Sequence, residues 1–472
     1  MKKLKPSAFL MDVKAELKEI IRALGDTYAY VSILGKDVVG TQYTYATSGK
    51  SVGLPMDAER GFVLRAFTKT GPIEYSFNDV DREEVVRAVK DLEKEREGFL
   101  AGHKALASGV PLDAPETLRV IRETGVLPEE DNPEEILKTL EAASDAAMAA
   151  HKELIQTHIA LTTVQISKIF LSKHKDLTET YAYATAFALG AAKRADNVQI
   201  DFTATSHLGG SEILSRVPDL MMEAGRRATE LLDATRVVPG EYDIICDPDF
   251  SGLIAHEAFG HGAEMDMFVK HRSKAEEFMD KRVASDLVGM HDGAAAIPEV
   301  SSYAFDDEGT VGGDTRIIEN GILRSGMCDA LSALHLGIAP TGNGKRESYK
   351  RKAYTRMTNT FFEGGTDTLE DMMASISHGY LLEGFSSGME DPKNWGIQCV
   401  AAKGREIRDG KLTGKIVSPL YLTGYVPDLL KSIDAVSENV VMCGSGYCGK
   451  GWKEWVKTST GGPYIKAKGR LS

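Results

Sequence analysis

Cysteine is scarce and odd in number: Cys246, Cys328, Cys399, Cys443 and Cys448 are the only five, all in the second half and without regular spacing. That excludes a disulfide framework and predicts free thiols, one of them available as a ligand. Long apolar runs are missing too. The best, residues 185–192 and 251–255, fall well short of the roughly 20 residues a membrane-spanning helix needs. Basic charge is in deficit, with 56 Lys and Arg against 69 Asp and Glu and a formal charge of -13. Such a surface opposes binding to nucleic acid or an anionic membrane, so neither is an expected partner. The first turn is basic, but Asp12, Lys14 and Glu16 interrupt any apolar stretch before a signal peptide forms, so a cytoplasmic location is expected. No fixed-period repeat or low-complexity tract is found.

What remains is an ordinary soluble composition, 42% hydrophobic and 26% charged, over 472 residues, more than one average domain. Residues 12–24 carry Val13, Leu17, Ile20, Ile21 and Leu24 at helical spacing. Three strand-like runs follow at 28–34, 38–46 and 61–68, then a charged helical stretch at 81–96 and a loop-rich connection over 103–131 with room for one short helix. Asn132, Pro133 and Glu135 together predict a helix start, continued by an alanine-rich run to His151. Strands are predicted over 157–171, 180–190 and 198–205, and an amphipathic helix over 218–235. Val237-Val238-Pro239-Gly240 punctuates the chain. Beyond it, turn signals recur at Asn320-Gly321, Gly342-Asn343-Gly344, Gly364-Gly365 and Asp409-Gly410, with helical patterns only over 368–377 and 272–287. The expected fold is α+β: a mixed domain of helices and antiparallel strands over 1–238, then a glycine-rich, β-dominated domain, barrel or sandwich, over 239–472.

The strongest chemical signal is the run from Ser251 to Gly262, in which His256, Glu257 and His261 stand in an otherwise uncharged apolar segment. Two imidazoles with an adjacent carboxylate resemble the zinc-hydrolase pattern, where the histidines hold the metal and the glutamate activates water. The spacing is one residue longer than His-Glu-x-x-His, and on a regular helix it sets the two histidines about 140° apart. Gly260 and Gly262 flank the second histidine and allow a bulge or a helix end that swings it back. A third protein ligand is needed. Glu264, Asp266 and the glycine-rich turn holding Cys443 and Cys448 are the candidates, and a thiolate favours zinc over iron or manganese.

Other signals are weaker. Residues 337–345 superficially match a phosphate loop, but Lys345 is followed by Arg346 where Ser or Thr is required. The basic residues Lys345, Arg346, Lys350, Arg351 and Lys352 are expected on a solvated face, and Asp306-Asp307-Glu308-Gly309 in a solvated turn. His291, His335 and His378 have no ligand spacing and are expected to be structural.

The segment from His256 to Asp266, with Cys448-Gly449-Lys450-Gly451, resembles the TldD/PmbA family of peptidases, specifically its metal-bearing TldD branch. Similar stretches lie at residues 305–309, 318–321, 341–344, 356–360 and 410–422. The resemblance implies a zinc metallopeptidase acting on small or unfolded intracellular peptides, with His256 and His261 as ligands, Glu257 as general base and a C-terminal cysteine as third ligand. Cys448, followed by Gly-Lys-Gly as in the family's Cys-Gly-Lys pattern, takes that role, although Trp452-Lys453-Glu454-Trp455 departs from the usual continuation. It further implies Arg356 and Asn359 along the cleft, and a homodimer or a heterodimer with a PmbA-like sister subunit. Two other readings stay open: a metal-free peptide-binding or scaffold subunit of such a complex, and a metal-dependent amidohydrolase of small molecules.

Overall fold

A computed structural model describes residues 1–99, 109–451 and 453–472. Eight strands between residues 31 and 207 form one sheet. Its path runs Asn197–His207, Lys175–Arg194, Leu154–Ser172, Val31–Ala46, Glu59–Thr68 and Gly71–Phe77, all antiparallel, with Gly49–Gly53 beside Val31–Ala46. Glu116–Ile121 joins Lys175–Arg194 in parallel. Side-chain alternation gives the sheet two faces. Ile33, Leu161, Ala184 and Ala186 bury against the helices Ala8–Gly25, Arg82–Phe99, Pro133–Ala150 and Val217–Glu230. Val38, Val164, Tyr181 and Tyr183 bury on the opposite face against Ala294, Val300 and Tyr303.

The helix starts follow local chemistry. The Asn132 side chain accepts from the backbone N–H groups of Glu134 and Glu135, with Pro133 in the first turn, and Ser7 caps Ala8–Gly25. Where three strands were expected over 28–68, the first two are a single strand, Val31–Ala46. Gly35 does not break it because it serves packing: a Cβ there would lie 2.8 Å from the Phe62 ring. Within the expected connection over 103–131, residues 103–108 lie outside the described residues; the remainder holds Glu116–Ile121 and the short turn Pro128–Glu130.

Beyond residue 239, five strands close a barrel: Gly240–Cys246, His378–Asp391, Gly396–Arg408, Leu420–Tyr425 and Ile465–Leu471, the last pairing back with the first. Beside it lies a six-stranded sheet in the order Ile322–Leu323, Thr315–Glu319, Met290–Asp292, Asn359–Phe362, Ser459–Gly462 and Val441–Cys443. The α+β class and the barrel are as expected from the sequence. The helix expected over 272–287 is not formed; only the turn Lys274–Phe278 is helical. Its backbone donors are engaged elsewhere: Val283 and Ala284 donate to the Gly321 carbonyl and Ser285 to that of Leu430.

Lys350, Arg351 and Lys352 are exposed as expected, but the rest of the basic run and the acidic turn are not. Lys345 and Arg346 are buried, as are Asp306, Asp307 and Glu308. Each finds partners on distant strands: Arg65 pairs with Glu308, Arg346 with Glu74, and Asp307 lies 3.8 Å from Lys36. Lys345 donates to the Ser301 hydroxyl and to the Met357 and Lys457 carbonyls. The pairs of Arg65 with Glu308, Arg346 with Glu74 and Lys36 with Asp307 lie where residues 31–77 meet the second half.

Candidate metal centre

The segment carrying the histidines leaves the barrel directly after Gly240–Cys246. Asp247 accepts from the Phe250 N–H at 2.8 Å and starts the helix Pro248–Leu253. Gly252 lets this helix close on the sheet, since a Cβ there would sit 2.6 Å from the Gly461 backbone nitrogen. The helix then widens into a π-helix over Ile254–Gly260, and the His261 N–H donates to the His256 carbonyl. This i to i+5 bonding answers the spacing problem. Five residues, too many for one face of an α-helix, bring both imidazoles together here, their ring centroids 5.2 Å apart and nearly perpendicular. Both flanking glycines are required by contact: a Cβ on Gly260 would meet Met357 Sδ at 2.5 Å, and one on Gly262 would meet Glu390 Oε1 at 2.6 Å.

Cys448 comes from a hairpin, Tyr447–Lys450 paired with Lys453–Lys457; Trp452 lies outside the described residues. Its Sγ lies 3.1 Å from His256 Nε2 and 3.5 Å from His261 Nε2. Among the described residues, His256, His261 and Cys448 form the one group of metal-binding side chains whose ligand atoms all lie within 4.8 Å of one another. Cys443 is not brought there; it sits on an edge strand with its thiol 3.5 Å from the Ser445 hydroxyl. Glu257 faces the group, its oxygens 3.9 Å from His256 Nε2 and 3.8 Å from His261 Nε2.

The donor set fits zinc. Two imidazole nitrogens and a sulfur in a tetrahedral zinc shell stand about 3.5 Å apart, close to the separations found here. The electrostatics agree: the two histidines hold the Cys448 thiol well below its ordinary value, favouring the thiolate that binds metals. The same sulfur, with Glu264, raises His261.

A buried network supports the ligands from behind. Glu264 Oε2 lies 3.4 Å from His261 Nδ1 and accepts from Lys450 Nζ at 2.9 Å, while Lys450 also donates to Asp266 at 2.8 Å. Neighbouring cations lower Glu264 well below the usual carboxylate range, Lys450 most strongly, then His261 and Arg356. Arg356 is fully buried and donates to the carbonyls of Cys448 and Glu454, with its Nε 3.4 Å from Glu264. Neither Arg356 nor Asn359 lines the cleft: Arg356 lies behind Cys448, and the fully buried Asn359 donates to the Gly293 and Ile297 carbonyls and the Ser302 hydroxyl. Glu264 and Asp266, candidates for a third ligand from the sequence, are occupied in this network. Of the histidines expected to be structural, His291 bridges Asp314 and Glu363 at 2.6 Å each, and His378 lies 3.5 Å from Glu406.

Residues 239–470 match the model of the PmbA/TldA metallopeptidase C-terminal domain. The chain belongs to the TldD/PmbA family. A Methanothermobacter thermautotrophicus protein named a metalloprotease is 29% identical over 87% of this chain and 88% of its own length. A Saccharolobus solfataricus protein named a zinc metalloprotease TldD homolog is 31% identical over 52% of this chain and 54% of its own length. The crystal structure of TldE from Thermococcus kodakarensis shares the fold, with a TM-score of 0.75 at 18% identity over 97% of this chain and 99% of that one. Among the described residues, no helix is long and apolar enough to cross a membrane.

Proposed function

We propose that this chain is a zinc-dependent peptidase of the TldD branch, hydrolysing small or unfolded peptides. The observation that carries the reading is the convergence of His256 Nε2, His261 Nε2 and Cys448 Sγ, with the Glu257 carboxylate within 4 Å of both imidazoles. His256, His261 and Cys448 would hold the ion. When bound, zinc supplies Lewis-acid polarisation of a water molecule and of the scissile carbonyl. Glu257 takes the proton from that water at a carboxylate oxygen as the water attacks, and returns it to the leaving amine. Glu264 orients His261 through Nδ1, and Arg356 fixes the backbone that presents Cys448.

A cleft of about 330 Å³ beside His256 and Glu257 has room for a residue or two of a peptide and none for a folded domain. Association as a homodimer or with a PmbA-like sister subunit belongs to the proposal on the family resemblance alone; light scattering of the purified chain reads it. The reading is tested by hydrolysis of fluorogenic peptides with the zinc-loaded protein. Glu257→Gln is expected to keep its metal and lose activity at least about 100-fold, within the range general-base catalysis contributes. Equal turnover by Glu257→Gln and wild type overturns the assignment.

A further inference from the structure

The cleft beside Glu257 has a built aromatic end. Phe187 and Phe202 come from neighbouring strands of the first sheet and stack with centroids 5.4 Å apart, while Phe385, from the barrel, meets Phe202 edge-on at 6.3 Å. All three are half-buried and line the same cavity as His256 and Glu257.

Phe385 is aimed there by a specific device. The strand His378–Asp391 breaks register between Phe385 and Ser387, a bulge of the kind that redirects a side chain next to a site. Gly384, just before it, adopts φ +60, and a Cβ there would fall 2.1 Å from the Arg227 guanidinium. Its N–H donates at 2.8 Å to Asp247, whose other oxygen caps the helix leading to His256. One carboxylate thus ties the position of Phe385 to the histidine segment. Charged groups line the same cavity: Arg227 is engaged by Asp201 at 2.9 Å, and Asp249 is exposed.

We propose that this aromatic end is a specificity pocket for one large apolar side chain, aromatic or leucine-sized, of a substrate residue flanking the bond to be cut, with Phe385 and Phe202 as its determinants. The inference rests on the peptidase reading for the identity of the ligand. Three rings facing an open cavity offer a large apolar side chain removal from water and edge or stacked contacts, whereas the rings themselves give a charged side chain no counterion. A cavity of about 330 Å³ accepts one such side chain with adjoining backbone.

The test uses labelled pentapeptides that differ only in a central Phe, Leu, Ala, Asp or Lys. For the zinc-loaded wild type, kcat/KM with Phe or Leu is expected to exceed that with Asp or Lys by about tenfold or more. In Phe385→Ala and Phe202→Ala the ratio should collapse to within about threefold, and Phe385→Leu should restore most of it. Peptides cut without this preference, or a preference that survives both alanine variants, overturn the pocket and leave the peptidase reading standing. The same panel is measured for binding to zinc-loaded Glu257→Gln by fluorescence anisotropy. If the wild type cuts no peptide, the peptidase reading fails, and the binding panel still judges the pocket. Tighter binding of Phe and Leu peptides that is lost with Phe385→Ala upholds it, and equal binding across the panel overturns it.

Discussion

Cys448 shows how three residues create a property that none has alone. A thiol without such neighbours is pushed up, as Cys399 is, to about 12, by burial first and by the Glu257 and Glu390 carboxylates. Cys448 is just as enclosed, yet two imidazoles at 3.1 and 3.5 Å drive it the other way. The sign is fixed: a thiol whose value is lowered stays ionised as the pH falls, until that lowered value is reached. In the metal-free protein, alkylation of Cys448 by iodoacetamide, followed by mass spectrometry, should therefore change little between pH 8 and 7, while an ordinary thiol slows about tenfold. Zinc should protect it. A tenfold fall at Cys448 would mean that the thiolate is not held by the histidines. The residues of this site were legible in the sequence, because a glutamate and two histidines in an uncharged run stand out by composition. The support from Arg356, Glu264 and Lys450 was not, since nothing local marks a buried arginine that holds a carbonyl 92 positions away.

At the scale of elements, what the sequence could tell depended on the range of the interactions involved. The cap at Asn132 and the helix after it are local, and both appear as read. The helix expected over 272–287 failed because its backbone donors go to segments at residues 321 and 430, which periodicity does not register. The histidine spacing was legible as an irregularity, and its resolution as a π-helix followed from packing against Met357, Glu390 and Gly461. That packing yields a prediction. Gly260→Ala forces a methyl group to within 2.5 Å of Met357 Sδ and 2.9 Å of the Ala255 carbonyl. Overpacking of this kind costs about 1–3 kcal/mol, measurable by urea denaturation, and zinc affinity should fall at least about tenfold in chelator competition because His261 is displaced. An unchanged affinity would show that the π-helix does not set the ligand geometry.

For the whole molecule, the surface between the first sheet and the second half is held by buried charge as well as by apolar packing. Arg65 on Glu59–Thr68 reaches Glu308, which also accepts from the Ala330 N–H at 2.7 Å, and Arg65 and Arg346 share Glu74. The sequence suggested solvated turns here because each charge run looks polar by itself; the partners lie more than 200 residues away. Removing one member of such a set strands the others. Glu308→Ala should lower unfolding stability by about 3 kcal/mol, the lower end for a broken buried pair since Arg65 keeps Glu74, whereas a surface pair such as Lys138 with Glu134 should change it by less than about 1 kcal/mol. Equal effects in denaturant titrations would place the stability of this contact in its apolar part. The arrangement bears on the proposed function because Phe187 and Phe202 reach the cleft beside His256 and Glu257 from across this contact.

Metal content tests the three-residue centre most directly. Wild type, His256→Ala and Cys448→Ser, purified identically without added metal and analysed by inductively coupled plasma mass spectrometry, are expected to give one zinc per chain in the wild type and a loss in both variants. A wild type without metal, or zinc retained in Cys448→Ser, would contradict the three-residue centre.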